Sequence, residues 1–149
     1  MADRYAATGI EGAVSSSLQS CLQVTGAATF RGRLYDFTVS QSGTPEDSSV
    51  QWVLARFTVA PTDTAVPEVP LDSAAPASAA DAGEDGGTTG TITAATEMFD
   101  QDINERAAYR WVAAPDGEII MPASTNGILL QVASGAYTGT ANATMHWQE

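Results

Sequence analysis

A strict alternation of residue type over residues 138–147 constrains the fold of this chain more than any other feature. Gly139, Ala141, Ala143, Met145 and Trp147 alternate there with Thr138, Thr140, Asn142, Thr144 and His146. Successive side chains of a β-strand point to opposite faces, so a period of two predicts a strand with one apolar and one polar face. Most apolar positions are small, which indicates that another sheet or backbone approaches closely.

Similar patterns recur along the chain. Tyr35, Phe37 and Val39 alternate with polar residues, and residues 50–59 are apolar on both faces, as in a central strand or one facing a partner. Residues 13–24 fit either a short helix or a strand. Further strands are predicted over residues 91–99, 107–112, 118–121 and 127–133, with turns that include Asp116-Gly117 and Asn126-Gly127. This pattern predicts an all-β, two-sheet antiparallel sandwich, most simply a jelly roll.

Two segments lack the apolar anchors of a strand. Residues 1–12 contain small residues and few apolar ones, which predicts an extended N-terminal arm that orders only against a neighbour. Residues 61–90 are rich in Ala, Pro, Ser, Asp and Gly, which predicts a long exposed loop. Deleting residues 74–87 is therefore expected to cost little stability. Residues 13–149, including this loop, are predicted to form a single domain.

The charge of the chain limits its partners. It has 18 acidic and six basic residues, a formal net charge of −12, and every basic residue is an arginine. Binding of nucleic acid needs basic side chains gathered on one face, so this class is set aside. The sequence lacks the roughly 18 consecutive apolar residues of a membrane-spanning helix and the apolar run of a secretory signal, which predicts folding in a cytoplasm without a membrane partner.

The sequence offers few groups for catalysis. His146 is the only histidine and falls on the polar side of its strand, which favours a surface position over a general base. Asp36 and Glu97 are the best pair of carboxylates for a glycosidase, although solvated strand positions are the simpler interpretation. Cys21 is the only cysteine, so an internal disulfide and a Cys-based zinc site are excluded and a small buried side chain is expected. We predict a non-enzymatic protein without catalytic residues or cofactors.

Acidic residues are grouped at two places that invite comparison with a calcium site. Residues 100–105 alternate oxygen-bearing side chains as a calcium-binding loop does, and residues 81–85 form a second acidic cluster. However, the glycine of a calcium loop is missing after Asp100, and the twelfth position is Trp111 rather than Glu. Both segments are predicted to be solvated turns, and no metal site is expected.

The three tryptophans, Trp52, Trp111 and Trp147, each lie in a predicted strand. A surface on which sugars stack is one interpretation, but placement in strands rather than loops favours core packing or aromatic anchors at a subunit contact. Together with Arg4 and Tyr5 of the predicted arm, these tryptophans are the predicted interface residues.

Short segments spread over most of the chain carry a resemblance to a known family. They are Arg4-Tyr5-Ala6-Ala7-Thr8-Gly9, Tyr35-Asp36, residues 52–58, Leu71-Asp72, Asn104-Glu105-Arg106-Ala107-Ala108-Tyr109-Arg110-Trp111, Ile120-Met121-Pro122-Ala123, Asn126-Gly127-Ile128 and Tyr137-Thr138-Gly139. In these segments the chain resembles the capsid decoration (cement) proteins of tailed bacteriophages.

The resemblance implies a β domain in the virion, assembled in the host cytoplasm, that stabilises the capsid surface. Its expected partners are the major capsid protein lattice or another virion protein, together with further copies of itself, a trimer being favoured. It implies no catalytic residues. The alternative is a phage receptor-binding or carbohydrate-binding module of the same architecture.

Overall fold

A computed structural model describes residues 2–29, 31–44, 46–86, 91–92, 96–124 and 126–149. Within these residues the chain forms twelve β-strands and no helix, and so none of the described segments is a helix that could cross a membrane. The strands are β1 (Arg4–Glu11), β2 (Gln19–Thr25), β3 (Arg33–Ser42), β4 (Ser49–Phe57), β5 (Thr64–Val66), β6 (Val69–Pro70), β7 (Asp81–Gly86), β8 (Glu97–Asn104), β9 (Tyr109–Val112), β10 (Ile119–Ile120), β11 (Gly127–Ala133) and β12 (Thr140–Gln148). The predicted all-β fold is confirmed, and the segment that fitted helix or strand leads into strand β2.

The strands form two antiparallel sheets. The first sheet has the order β10-β3-β12-β1-β6, with β9 also paired to β3, and the second has the order β5-β7-β2-β11-β4-β8. Four pairs are nested along the chain, namely β1 with β12, β2 with β11, β3 with β9 and β4 with β8. A long hairpin folded over itself in this way has the connectivity of a jelly roll, to which β5, β6, β7 and β10 are added.

The core lies between the two sheets. On β12, Ala141, Ala143, Met145 and Trp147 are buried while the residues between them are partly exposed, so the predicted alternation is confirmed. The small residues let the sheets approach, because Cys21 Sγ of the second sheet lies 3.7 Å from the carbonyl oxygen of Ala141. Cys21 is a small buried side chain, as predicted, and burial raises the pKa of its thiol.

The predicted N-terminal arm is instead a strand inside the first sheet. β1 lies between β12 and β6, and its ladder with β12 runs without a break from the pair of Arg4 with Gln148 to the pair of Glu11 with Ala141. The sequence signal was weak because two of the four inward positions, Ala7 and Gly9, are small and a third, Glu11, is charged. A Cβ added at Gly9 would lie 2.9 Å from the carbonyl oxygen of Cys21.

The predicted loop at residues 61–90 is wrong at three short strands, whereas residues 71–80 form turns and mostly exposed segments without a strand. β5 and β7 extend the second sheet and β6 extends the first. Ala80 and Ala82 are buried, and the Glu149 side chain accepts hydrogen bonds from the backbone N–H groups of Ala79 and Ala80 at 2.8 and 3.0 Å. The small residues Ala80, Ala82 and Gly83 reflect close packing, whereas Ala74, Ala77 and Ala79 are exposed. Residues 87–90 of the prediction lie outside the described residues.

One of the two predicted tight turns has the expected backbone. Asp116 has a φ of 62°, and Gly117 N–H donates to the carbonyl oxygen of Ala114 at 2.8 Å. Gly127, in contrast, is the first residue of β11, where an added Cβ would meet the carbonyl oxygen of Val24 and the ring of Phe57. This glycine is needed for close packing rather than for a turn. Of the strand predicted at residues 91–99, residues 93–95 lie outside the described residues, and β8 begins at Glu97.

Candidate interaction face

Three of the five predicted interface residues lie in the core of the single chain. Trp52 and Trp147 are fully buried, and Tyr5 is 1% exposed. The rings of Tyr5 and Trp147 stack with centroids 6.0 Å apart, and Tyr5 Oη donates to the carbonyl oxygen of Pro76 at 3.0 Å. Because they are buried within the single chain, these three residues are not accessible to a partner. The sequence could not show this, since inward strand positions and contact positions carry the same aromatic residue types. The three tryptophans also form no common stacking surface for sugars.

The other two predicted interface residues are accessible. Trp111 is half-buried and stacks on Phe37, with ring centroids 5.5 Å apart, in an aromatic cluster at the edge of the first sheet. Arg4 is exposed, and its guanidinium carbon lies 5.4 Å from the ring centroid of Tyr35. Only Arg4 projects from the outer side of the first sheet, since Trp111 pairs with the inward-facing Phe37.

The outer side of the second sheet is buried, and it is called the covered face below. Val53 and Ala55 of β4 and Leu129 of β11 alternate with the core residues Leu54 and Leu130, yet they are at most 1% exposed. The prediction that the fourth strand is central and apolar on both faces is therefore confirmed.

Part of the chain between β4 and β8 lies against the covered face. Gln23 on that face donates from Nε2 to the Asp63 carboxylate and to the carbonyl oxygen of Pro61. At the other end of this segment, Thr58 N–H donates to the carbonyl oxygen of Thr91 at 3.1 Å. These contacts position residues of the long insertion over the outer side of the sheet.

The outer side of the first sheet is called the open face. By strand register and ring contacts it consists of Arg4, Ala6, Thr8, Ile10, Arg33, Tyr35, Asp36, Thr38, Ser40, Ser42, Val69, Leu71, Arg110, Val112, Ile120, Thr140, Asn142, Thr144, His146 and Gln148. Many of these side chains are short, and Thr8 Oγ1 and Thr144 Oγ1 lie 3.0 Å apart on neighbouring strands. Most of these residues are partly or fully exposed, and at one margin Arg4, Leu71 and Gln148 line a cavity together with Asp3 and Asp72.

Exposed apolar side chains gather on the open face. Of the six large apolar residues that are exposed in the described part of the chain, five belong to this face and are 38% to 56% exposed. Val69 and Leu71 lie along one margin, and Val112 and Ile120 lie along the opposite margin. An apolar patch of this kind on a soluble domain marks a contact surface more often than isolated exposed residues do.

An ion pair lies at the centre of the open face. Asp36 is 4% exposed, and the two oxygens of its carboxylate accept hydrogen bonds from Arg110 Nε at 3.0 and 3.2 Å. These hydrogen bonds and the negative charge of Asp36 raise the pKa of the Arg110 guanidinium. His146 Nδ1 lies 3.7 Å from Asp36 Oδ2. The pair joins β3 to the edge strand β9 and leaves this aspartate already matched by a cation.

The predicted glycosidase pair is not brought together. Asp36 points outward from the first sheet, whereas Glu97 begins β8 at the edge of the second sheet. The two carboxyl groups of a glycosidase must instead flank one bond, at most about 10 Å apart. The expectation that His146 lies on the polar side of its strand is confirmed, because it pairs with Asp36 on the open face.

The acidic segments compared with calcium loops are strands. Residues 100–104 belong to β8, and the Glu105 carboxylate is buried, where it accepts from the N–H of Glu46 at 2.7 Å and from Ser48 Oγ. Residues 81–85 belong to β7. In the described ranges, no group of three His, Cys, Asp or Glu side chains is arranged to hold a metal ion. The predicted turns at both segments are strands instead, but Asp81, Asp85, Asp100 and Asp102 are exposed, as the prediction of solvated positions requires.

The open face differs in charge from the rest of the molecule. Its three arginines and one aspartate give it a formal charge of +2, while the chain as a whole carries −12, so all other residues together carry −14. A face of opposite sign to its own molecule attracts acidic surfaces and repels basic ones.

The chain matches no protein-family model, no curated protein and no solved structure.

Sequence reasoning missed most residues of the open face but contained the signal for them. The outward positions of β3 and β12 were recognised as the polar sides of their strands. What was missing was the register that places these two strands side by side, with β1 as the third member. Once that register is known, the polar positions of three strands combine into one surface.

Proposed function

We propose that this protein is a non-enzymatic structural component of a bacteriophage particle, of the capsid decoration (cement) type, which binds its neighbours through the open face. The observation that carries the proposal is the contrast between a covered outer sheet face and an open one that holds five of six exposed large apolar side chains. The resemblance of Asn104-Glu105-Arg106-Ala107-Ala108-Tyr109-Arg110-Trp111 and the other segments to cement proteins supports the phage assignment. A jelly-roll architecture is also common among viral capsid domains.

The size of the open face fits a contact that is repeated many times. About five strands spaced about 4.8 Å apart, each with about seven residues of about 3.3 Å, give about 450 Å². A stable complex of two proteins buries about 800 Å² on each partner, so a single contact through this face is weak. On a particle, many linked contacts raise the effective affinity. The proposed partners are the capsid lattice, other virion proteins and further copies of this chain, with the protein located in the virion.

Co-sedimentation with purified capsids that lack this protein tests the proposal. The unaltered protein should pellet with the particles, and Val69→Asp on the open face should reduce the pelleted fraction at least tenfold. Val59→Asp is the matched control, because Val59 is equally exposed but lies outside the open face. Mass spectrometry of particles from the source should detect the chain in many copies.

Two results would contradict the proposal. If the unaltered protein pellets with no particle and is absent from particles by mass spectrometry, the virion role is wrong. If it instead binds one group of glycans on an array, the carbohydrate-binding module becomes the better interpretation.

A further inference from the structure

Two arginines of the open face carry charge that the fold does not match. Arg4 and Arg33 flank Gln148 across three neighbouring strands, so their backbones are about 10 Å apart. Both are exposed, and neither forms an ion pair within the described part of the chain. Arg110, the third arginine of the face, is bound to Asp36. Arg4 and Arg33 are therefore available to bind carboxylates of another molecule.

This charge disfavours one simple mode of assembly. In a two-fold dimer the same patch of both copies meets, so two open faces packed with their Gln148 ends together would bring arginines against arginines. Like charges in an interface are strongly unfavourable. An occupant with acidic side chains matches the open face better, and a second copy can present such side chains from a different part of its surface.

Many carboxylates of the chain are already engaged within the fold. They are Glu11, Asp36, Asp47, Asp63, Glu68, Asp72, Glu84, Glu105 and Glu149, each of which accepts a hydrogen bond or forms an ion pair. These residues contribute to the negative charge of the molecule, but they already have hydrogen-bond or ion-pair partners within the chain. The carboxylates best placed to bind arginines of a neighbour are therefore exposed ones that have no partner, or only an accessible neutral side chain as partner.

Strand β8 presents such carboxylates. Asp100 and Asp102 are exposed, and because they are two residues apart they project on the same side of the strand, about 7 Å from each other. Asp100 Oδ1 accepts a hydrogen bond from Nε2 of the partly exposed Gln51 at 3.0 Å, but neither aspartate forms an ion pair within the described residues. They pair with Val53 and Gln51 of β4, and β8 is the last of the described strands in the order of the second sheet. Acidic residues on an edge strand oppose strand-to-strand aggregation, which leaves side-chain contacts as the way to bind this edge.

We infer that the occupant of the open face is a second copy of this chain, bound head to tail, with Arg4 and Arg33 of one copy against Asp100 and Asp102 of the next. The inference rests on the proposed function, since it names one neighbour of the virion protein. Bidentate pairing of guanidinium with carboxylate gives such a contact its geometry. A head-to-tail contact uses two different surfaces per copy, so it can close into a ring or continue as a chain.

Ionic strength decides whether the net charge of −12 prevents this contact. At about 0.15 M salt the Debye length is about 8 Å, so repulsion between the bulk of two copies is largely screened. Ion pairs in direct contact are screened less, especially when the apolar margins of the open face exclude water around them. Association is therefore expected near physiological salt and should weaken at about 1 M salt.

Sedimentation velocity of the purified protein over a concentration series tests the inference. The unaltered protein should associate at about 0.15 M NaCl. The double variant Arg4→Glu with Arg33→Glu should be monomeric, as should Asp100→Arg with Asp102→Arg, because each brings like charges together. An equimolar mixture of the two variants should associate again, since the intact basic face of one meets the intact acidic strand of the other. Glu46→Arg with Asp81→Arg, at exposed positions away from both surfaces, is the charge-matched control and should associate.

The outcomes separate this inference from the proposed function. A strictly monomeric unaltered protein, or variants that associate as the unaltered protein does, would overturn the head-to-tail contact. So would a mixture that stays monomeric while both variants keep the melting temperature of the unaltered protein. If the unaltered protein is monomeric yet pellets with capsids, the virion role survives and this contact does not. Self-association restored by mixing, without binding to capsids, would support the contact and contradict the virion role.

Discussion

The two outer sheet faces of this sandwich differ in solvent exposure, and the burial patterns of the central strands β11 and β12 show the difference. All seven residues of β11 in the second sheet are buried, whereas β12 in the first sheet alternates between buried and partly exposed residues. Thus a continuous apolar strand indicates burial on both sides, and an alternating strand indicates one open side. The contrast shows which face of a sandwich is available to partners, before any partner is known.

The largest expected effect comes from deleting residues 74–87. The sequence alone predicted little cost, but this segment contains β7, which pairs with β2 and lies beneath the residues against the covered face. We expect a loss of more than about 4 kcal/mol in the free energy of unfolding, or failure to fold. Thermal unfolding followed by circular dichroism measures this. Ala74→Ser with Ala77→Ser, at exposed positions of the same segment, should leave the melting temperature unchanged.

A deletion variant with the melting temperature of the unaltered protein would contradict this expectation. It would show that β7 and the segment leading into it are not part of the folded core. The long insertion would then be the exposed loop that composition suggested.

The next largest effect is expected from replacing one side chain on each face by alanine and comparing the free energies of unfolding. Leu129→Ala on the covered face should lower the free energy of unfolding by about 2–5 kcal/mol, because it removes buried methyl groups and leaves a cavity. Thr144→Ala on the open face should change it by less than about 0.5 kcal/mol. Urea unfolding of both variants compares the faces directly. Equal effects at the two positions would mean that the faces do not differ in burial.

The fold could be predicted from the sequence wherever large side chains alternated. The segments around Phe37, Trp52 and Trp147 gave strands of the correct type, and the nested order agrees with the predicted jelly roll. Prediction failed at β1 and β7, where close packing requires small residues such as Gly9 and Gly83. A strand built from small residues has the composition of a loop, so only its neighbours reveal it.

The candidate site was less predictable than the fold. Tyr5, Trp52 and Trp147 were predicted at an interface because aromatic residues anchor both cores and contacts, and only burial separates these cases. The residues that form the open face are instead polar ones, such as the threonines and arginines on the outward sides of three strands. These residues form a surface only through the pairing of β1, β12 and β3, which links chain segments more than 100 residues apart.

A smaller, pH-dependent effect is expected on the inner side of the first sheet. Glu11 is buried beside β7, and burial, together with the nearby carboxylate of Asp85, raises its pKa. A raised pKa means that the folded state favours the protonated acid, so this contribution to stability is present at low pH and is lost as pH rises through the folded pKa. Glu11→Gln does not titrate, and it should be more stable than the unaltered protein at pH 7.

Unfolding in urea between about pH 3 and pH 8 measures this difference. The gain from Glu11→Gln should shrink as pH falls toward about 4, the usual pKa of an unfolded glutamate. Glu118→Gln, at a partly exposed position outside this cluster, serves as the control. A gain for Glu11→Gln that is the same at all pH values would rule out titration of Glu11 as its cause.

The smallest effect comes from the same substitution made once on each face. Val112→Thr on the open face keeps the shape and strand preference of the side chain, and since Val112 is 56% exposed, the new hydroxyl remains in water. The free energy of unfolding should change by less than about 0.5 kcal/mol. Val53→Thr on the covered face buries its hydroxyl and should cost about 1–3 kcal/mol.

If Val112 lies in a contact between copies, Val112→Thr should also weaken self-association, on the order of two- to fivefold, because up to about 0.8 kcal/mol of apolar burial is lost. Sedimentation velocity and urea unfolding on the same two variants measure both quantities, and a Val112→Thr variant that is destabilised as much as Val53→Thr would show that the open face is covered after all.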